Sequence, residues 1–367
     1  MAYIVSAGTS IPRFHVDQEE AARFAKEMFK HSFKDIDRLL ASFKNGEIES
    51  RQFVMPLEWY KEEKSFREKN QAYIETALQH SADAVTKCLT DERFLTDECP
   101  FENIEAVFFV SSTGISTPSI EARLMNILPF SNRTKRIPIW GLGCAGGASG
   151  IARAFEYCKA FPKAHVLVIA AELCSLTFQV QDKTKSNLIG TSLFGDGIAA
   201  VLMCGTKAET AFSKLHTLPE VRGSQSVTLK HTEDVMGWEI ANSGFQVVFS
   251  RDIPSLIKTH FKTDVEAFLK QKHVGFRDIE VFLAHPGGKK VLDAYIESLG
   301  FSEKHLESSR KILAKHGNMS SATVLYCLKE YMLNNTLPSG TYGLMGALGP
   351  GFSSELLLIE WTQKESG

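Results

Sequence analysis

The sequence has no cysteine pair at metal-ligand or redox spacing, no basic run, and no apolar stretch long enough to cross a bilayer. Its seven cysteines (88, 99, 144, 158, 174, 204 and 327) form no C-x-x-C and are odd in number, which argues against a disulfide framework. The histidines lack ligand spacing as well, so no metal is expected. The 41 Lys and Arg nearly balance 43 Asp and Glu and are scattered, so a net charge of -2 gives no reason to bind nucleic acid or an anionic membrane. Apolar runs such as Val166 to Ala171 fall far below the ~20 residues of a membrane helix. The opening MAYIVSAGTSIP lacks a charged n-region and reads as a strand and a turn, not a secretory leader. These absences point to a reducing, cytoplasmic setting.

What is present is material for a large core. Apolar residues are 44% of a 367-residue chain, enough for two domains or one duplicated one. Residues 18–44 and 58–90 combine helical periodicity with many charges and predict solvent-facing helices. After them come nearly unbroken apolar runs, IEAVFFV, HVLVIAAE, IAAVLM, IEVFLA and ELLLIEW, the pattern of strands covered on both faces. With helical segments between them, the class is α/β with layered sheets.

A near-repeat organises these elements. The strand that starts at Ile104-Glu105 recurs at Ile279-Glu280, and each copy is followed by a glycine-containing loop, STG at 112–114 and HPGG at 285–288. Forty residues after Ile104 comes Cys144, opening the small-residue helix CAGGASGIARAFEY; thirty-nine after Ile279 comes Asn318, opening NMSSATVLYCLKEY. Each half then closes on a glycine turn and a strand, at 194–203 and 346–361. Two copies of one α/β unit are therefore expected, spanning 1–210 and 211–367, with the boundary in the polar stretch from Gly205 to Ser224.

Cys144 is flanked by glycines in Trp-Gly-Leu-Gly-Cys-Ala-Gly-Gly, which permit a tight turn and close approach of a substrate. A cysteine at a strand-to-helix turn is more often a packing residue, but the repeat and the glycines favour a nucleophile. A helix starting there would lower the thiol pKa through its free N–H groups and dipole. Such a nucleophile needs a base and an oxyanion donor. His285, in Ala-His-Pro-Gly-Gly at the end of a buried strand, fits the base. Asn318 holds in the second half the place Cys144 holds in the first, so a pseudo-twofold axis brings the two face to face. Position alone would make Asn318 an ordinary helix cap.

WGLGCAGG, FGDG, AHPGG, GNMSSA and GALGPGFSSE occur in an order and spacing that resemble the type III polyketide synthases, the chalcone synthase-like enzymes, over nearly the whole chain. Within them the chain looks most similar to bacterial alkylpyrone synthases. The resemblance implies a thiolase-like five-layer αβαβα subunit with pseudo-duplicated halves, working as a homodimer. It implies that Cys144, His285 and Asn318 form the catalytic triad and that Phe194 guards the junction of a CoA tunnel and an acyl cavity. Gly349, Pro350 and Gly351 match the family's GPG loop, with Leu348 where Phe is usual, and Ser320, Ser112, Thr117 and Thr177 match cavity-wall positions. Small residues at 112, 117 and 320 hint at room for a long aliphatic chain. Arg38, Lys44 and Arg51 lie in the region that receives CoA phosphates. The implied reaction is decarboxylative condensation of malonyl-CoA onto an acyl-CoA starter, ending in alkylpyrones, with no cofactor beyond the CoA thioesters. The alternatives are a β-ketoacyl-acyl-carrier-protein synthase III, which condenses once, and a Cys-His thioesterase.

Overall fold

The computed structural model describes residues 1–210, 212–250, 252–334 and 337–363. In chain order the strands are β1 (Ala2–Ser10), β2 (Phe14–Asp17), β3 (Ser50–Phe53), β4 (Ile104–Ser111), β5 (Lys135–Trp140), β6 (His165–Leu173), β7 (Asp196–Gly205), β8 (Thr217–Thr228), β9 (Met236–Ala241), β10 (Gly244–Phe249), β11 (Ile279–Ala284), β12 (Thr341–Gly349) and β13 (Ser353–Gln363). The helices that build the site are α1 (Gln18–Phe29), α2 (Phe66–Thr90), α3 (Gly146–Ala160), α4 (Lys185–Leu193), α5 (Lys262–Gln271), α6 (Lys289–Leu299), α7 (Glu307–His316) and α8 (Ser321–Asn334).

Among the described residues one mixed sheet of nine strands runs β11-β12-β13-β8-β1-β7-β6-β4-β5. In the first half β4 is parallel to β6, β6 antiparallel to β7, and β7 antiparallel to β1. β11, β12, β13 and β8 repeat that sequence of directions, so the duplication extends to the hydrogen bonding. The halves meet where Ala2 pairs with Val221 and Tyr3 with Glu220.

The layers follow from what each face must cover. β6 and β7 are buried along their whole length, as unbroken apolar runs require, and β11 coincides with the run IEVFLA. α2 covers β1, β7 and β6 on one side, α3 and α8 cross between the two half-sheets, and α5 and α6 lie beyond the second. This is the five-layer, thiolase-like αβαβα arrangement. Small residues make the central crossing possible: a Cβ on Gly147 would stand 2.1 Å from the Ser321 carbonyl oxygen.

The long helices differ from expectation. The stretch 18–44 breaks after Phe29 into short turns at Ile36–Leu39 and Ala41–Asn45. The buried stripe of α1, Ala21, Phe24, Ala25 and Phe29, ends there, and the chain turns so that Ile36 and Phe43 fold back onto the same apolar cluster. In 58–90 a 3-10 turn ends at Lys61, and Ser65 starts α2 through a reciprocal capping box with Glu68. β7 ends at Gly205 and β8 begins at Thr217; the expected second-half start, Ala211, lies outside the described residues.

Candidate active site

Cys144 lies in a 3-10 turn, Gly143–Ala145, that runs into α3 at Gly146. The second half closes over this turn. A Cβ on Gly143 would stand 2.8 Å from Pro350 Cδ, and one on Gly349 would stand 2.5 Å from the Leu142 carbonyl oxygen. The GPG loop is therefore seated on the cysteine turn, and only glycines permit the approach.

Asn318 faces the sulfur, with Oδ1 at 3.9 Å and Nδ2 at 4.0 Å from Cys144 Sγ. Its amide is oriented: Ser320 N donates to Oδ1 at 2.8 Å, and Nδ2 donates to the Gly287 carbonyl oxygen at 3.3 Å, two residues beyond His285. The backbone is held too, Asn318 N donating to Leu193 O at 2.9 Å and Gly195 N to Asn318 O at 3.0 Å. Ser320 adopts φ +47, a left-handed conformation that costs a serine of order 1–3 kcal/mol and is held by its surroundings.

His285 is buried at the end of β11, and neither ring nitrogen has a hydrogen-bond partner among the described residues. Burial pulls its pKa down to about 3, so the ring is neutral. The Cys144 thiol departs from expectation. Burial pushes its pKa up to about 12, against hydrogen bonds from Ser320 and Asn318. Desolvation of the anion outweighs the helix terminus, and among the described residues no cation stands beside the sulfur to offset it. At rest both side chains are uncharged, a thiol and a neutral imidazole.

Two buried carboxyls went unrecognised in the sequence. Glu172, at the end of β6, accepts from Ser112 N and Oγ (both 3.1 Å), Thr113 Oγ1 (2.9 Å) and Ser321 Oγ (2.6 Å), tying the β4 loop to the start of α8. Asp196, in the FGDG turn, accepts from Val54 N (2.8 Å) and from Ser175 N (2.7 Å). Burial raises both pKa values to about 7. A lone charged residue closing the apolar run HVLVIAAE was the signal for Glu172.

Phe194 is buried between Phe249 and Trp238, ring centroids 5.5 and 5.8 Å away. Behind it a narrow apolar cavity is lined by Phe24, Tyr60, Cys174, Thr177, Phe178 and Val247 among others. The Thr177 hydroxyl donates to Cys174 O at 2.7 Å. On the other side of Leu193 a cleft of about 690 Å³ is lined by Arg38, Lys185, Lys289 and Lys290, by Phe249, and by Gly287 and Gly288 of the His285 loop.

The remaining expected residues divide. Ser112 is buried with its hydroxyl committed to Glu172, and Leu348 belongs to the hydrophobic core of the second half. Gly351 takes φ +124 at the end of the GPG loop. Thr117 does not reach the Cys144 pocket; it is exposed on a separate surface cavity of about 260 Å³ with Ile115 and Trp140. Arg38 is exposed, paired with Asp35 at the cleft rim, whereas exposed Lys44 is not among the cleft-lining residues. Arg51 is 0% exposed, so it cannot receive a phosphate from solvent. Lys185, Lys289 and Lys290, which line the cleft, were missed, although the lysine pair directly follows HPGG. Among the described residues no helix is long and apolar enough to cross a membrane.

A cysteine turn and an asparagine turn, placed face to face by a duplicated half-sheet and its central helix, define a thiolase-fold enzyme of acyl transfer. Residues 1–207 match the family described as chalcone and stilbene synthases, N-terminal domain, and residues 220–362 match its C-terminal domain. The chain belongs to this family and is a type III polyketide synthase. A Bacillus subtilis (strain 168) protein with a provisional chalcone synthase name is 65% identical over 361 residues, 98% of this chain and 99% of that one. A 1,3,6,8-tetrahydroxynaphthalene synthase of Streptomyces peucetius subsp. caesius is 32% identical over 358 residues, covering 98% and 93%. The crystal structure of the Streptomyces coelicolor A3(2) tetrahydroxynaphthalene synthase superposes with TM-score 0.91 at 26% identity, over 99% of this chain and 100% of that one.

Proposed function

We propose that this polyketide synthase loads a long-chain fatty acyl group from its CoA thioester onto Cys144, extends it with malonyl units, and releases alkylpyrones. The observation that carries the reading is the Asn318 amide 4.0 Å from the Cys144 sulfur. Cys144 Sγ attacks the starter carbonyl while His285 takes the thiol proton, and CoA leaves as its thiol. Malonyl-CoA then loses carbon dioxide, and the enolate oxygen that forms is held by His285 and Asn318 Nδ2. The carbanion attacks acyl-Cys144 and lengthens the chain by two carbons. Decarboxylation itself makes the nucleophile, so no further cofactor is needed.

The CoA phosphates sit on the cleft rim, where Lys185 and Lys290 supply charge beside Arg38 and Lys289. A second copy covers the exposed Ile115 and Trp140 at the edge of the sheet, making a homodimer. The test is product analysis by mass spectrometry with acyl-CoAs of graded length and malonyl-CoA. Pyrones from long starters support the reading. A single condensation that demands a carrier protein, or free acid without consumption of malonyl-CoA, overturns it.

A further inference from the structure

Arg51, on β3, is a fully buried cation that feels the Asp196 carboxyl electrostatically but has no carboxylate at ion-pair distance among the described residues. An ion held there costs free energy that a neutral side chain would not, and the reading above gives it no task. Its contacts define one. Nη1 donates to Thr191 O at 2.7 Å and to Phe194 O at 2.8 Å, carbonyls at the negative end of α4. The guanidinium carbon stands 5.4 Å from the centre of the Phe53 ring, whereas Nε and Nη2 have no hydrogen-bond partner among the described residues.

The stem of the side chain is as constrained as its head. A Cβ on Gly317 would stand 2.8 Å from Arg51 Cγ and Cδ, and one on Gly195 would stand 3.4 Å from Cβ and Cγ. Gly317 immediately precedes Asn318, and Gly195 immediately follows Phe194. Between these two glycines runs the short bridge in which Leu193 O accepts from Asn318 N and Asn318 O accepts from Gly195 N. One side chain thus braces both strands of the bridge: the strand carrying the Phe194 gate through its carbonyls, and the strand carrying Asn318 through its methylenes.

We propose that Arg51 is a positioning residue that fixes the Asn318 amide and the Phe194 ring relative to Cys144, and so acts on the decarboxylation step. The inference rests on the reading of Asn318 as the enolate donor. Lysine keeps the charge but not the planar head that spans two carbonyls, and methionine keeps only the stem.

The experiment separates two half-reactions in R51M, R51K and the unaltered enzyme. Starter loading is read as the intact-mass shift of acylated protein, and malonyl-CoA decarboxylation is read as carbon dioxide release. R51M is expected to slow decarboxylation by about tenfold or more with loading changed by less than about threefold, a split that uniform loss of folded enzyme cannot give. R51K is expected to recover part of the decarboxylation. Decarboxylation unchanged in both variants overturns the proposal, as does a fall in both steps that tracks a lowered Tm. Should R51M fail to fold, R51K alone decides by the same split. An unaltered enzyme that loads starter but does not decarboxylate malonyl-CoA would overturn the reading of the site instead.

Discussion

At Cys144 two effects compete, and burial prevails: the thiol is pushed up to about 12 while His285 is held neutral at about 3. The sign of the consequence is direct. Below a raised thiol pKa the thiolate fraction grows tenfold per pH unit, so alkylation of Cys144 by iodoacetamide in the substrate-free enzyme should climb steadily between pH 7 and 10. A plateau already at neutral pH, measured by peptide mass mapping, would instead indicate a standing thiolate-imidazolium pair. The proposed mechanism gives Asn318 its part in the other half-reaction. Replacing it with alanine removes one preorganised donor and should slow malonyl decarboxylation by about a hundredfold, with a smaller effect on loading. Cys144→Ala should leave no acyl adduct at all in intact-mass spectra, and persistent condensation would sink the mechanism.

At the scale of elements, the crossing of α3 and α8 sets the distance between these residues. Gly147→Ala would place a methyl carbon 2.1 Å from a backbone oxygen, so the helices must move apart. The expected cost is about 1–3 kcal/mol from overpacking alone, read as a lower Tm, with Cys144 loading impaired because its turn leads into the same helix. Much at this scale was legible in the sequence. Strands such as Ile279–Ala284 announced themselves because burial on both faces leaves an unbroken apolar run. The repeat located Cys144 and Asn318 as counterparts because it preserved spacing as well as residue type. The break after Phe29 was not legible, since exposed lysines and a phenylalanine continue a plausible helical pattern past the point where the chain folds back on its own apolar cluster. Arg51 was misread for a related reason. Nothing in a sequence tells a solvated arginine from one enclosed by glycines more than a hundred residues away.

For the molecule as a whole, the cavity behind Phe194 is assembled from parts that no local pattern connects. Phe24 comes from α1, Tyr60 from the turn before α2, Cys174 and Thr177 from the loop after β6, and Val247 from β10. Under the proposed function, starter chain length should answer to residues remote from Cys144. Phe24→Ala, which removes an aromatic wall against Phe178 at a ring distance of 5.5 Å, should move the product distribution toward longer starters. An unchanged distribution in competition assays with mixed acyl-CoAs would exclude this cavity as the tail site.

The position of β1 has a consequence for how the protein is made. It lies in the middle of the sheet, between β7 and β8, yet it leaves the ribosome about 190 residues ahead of β7. At synthesis rates of roughly 5–20 residues per second it waits on the order of ten to forty seconds with both edges unpaired. An apolar strand exposed for that long is a template for aggregation. Expression yield should therefore depend on translation speed and chaperone supply more steeply than the stability of the finished enzyme would indicate.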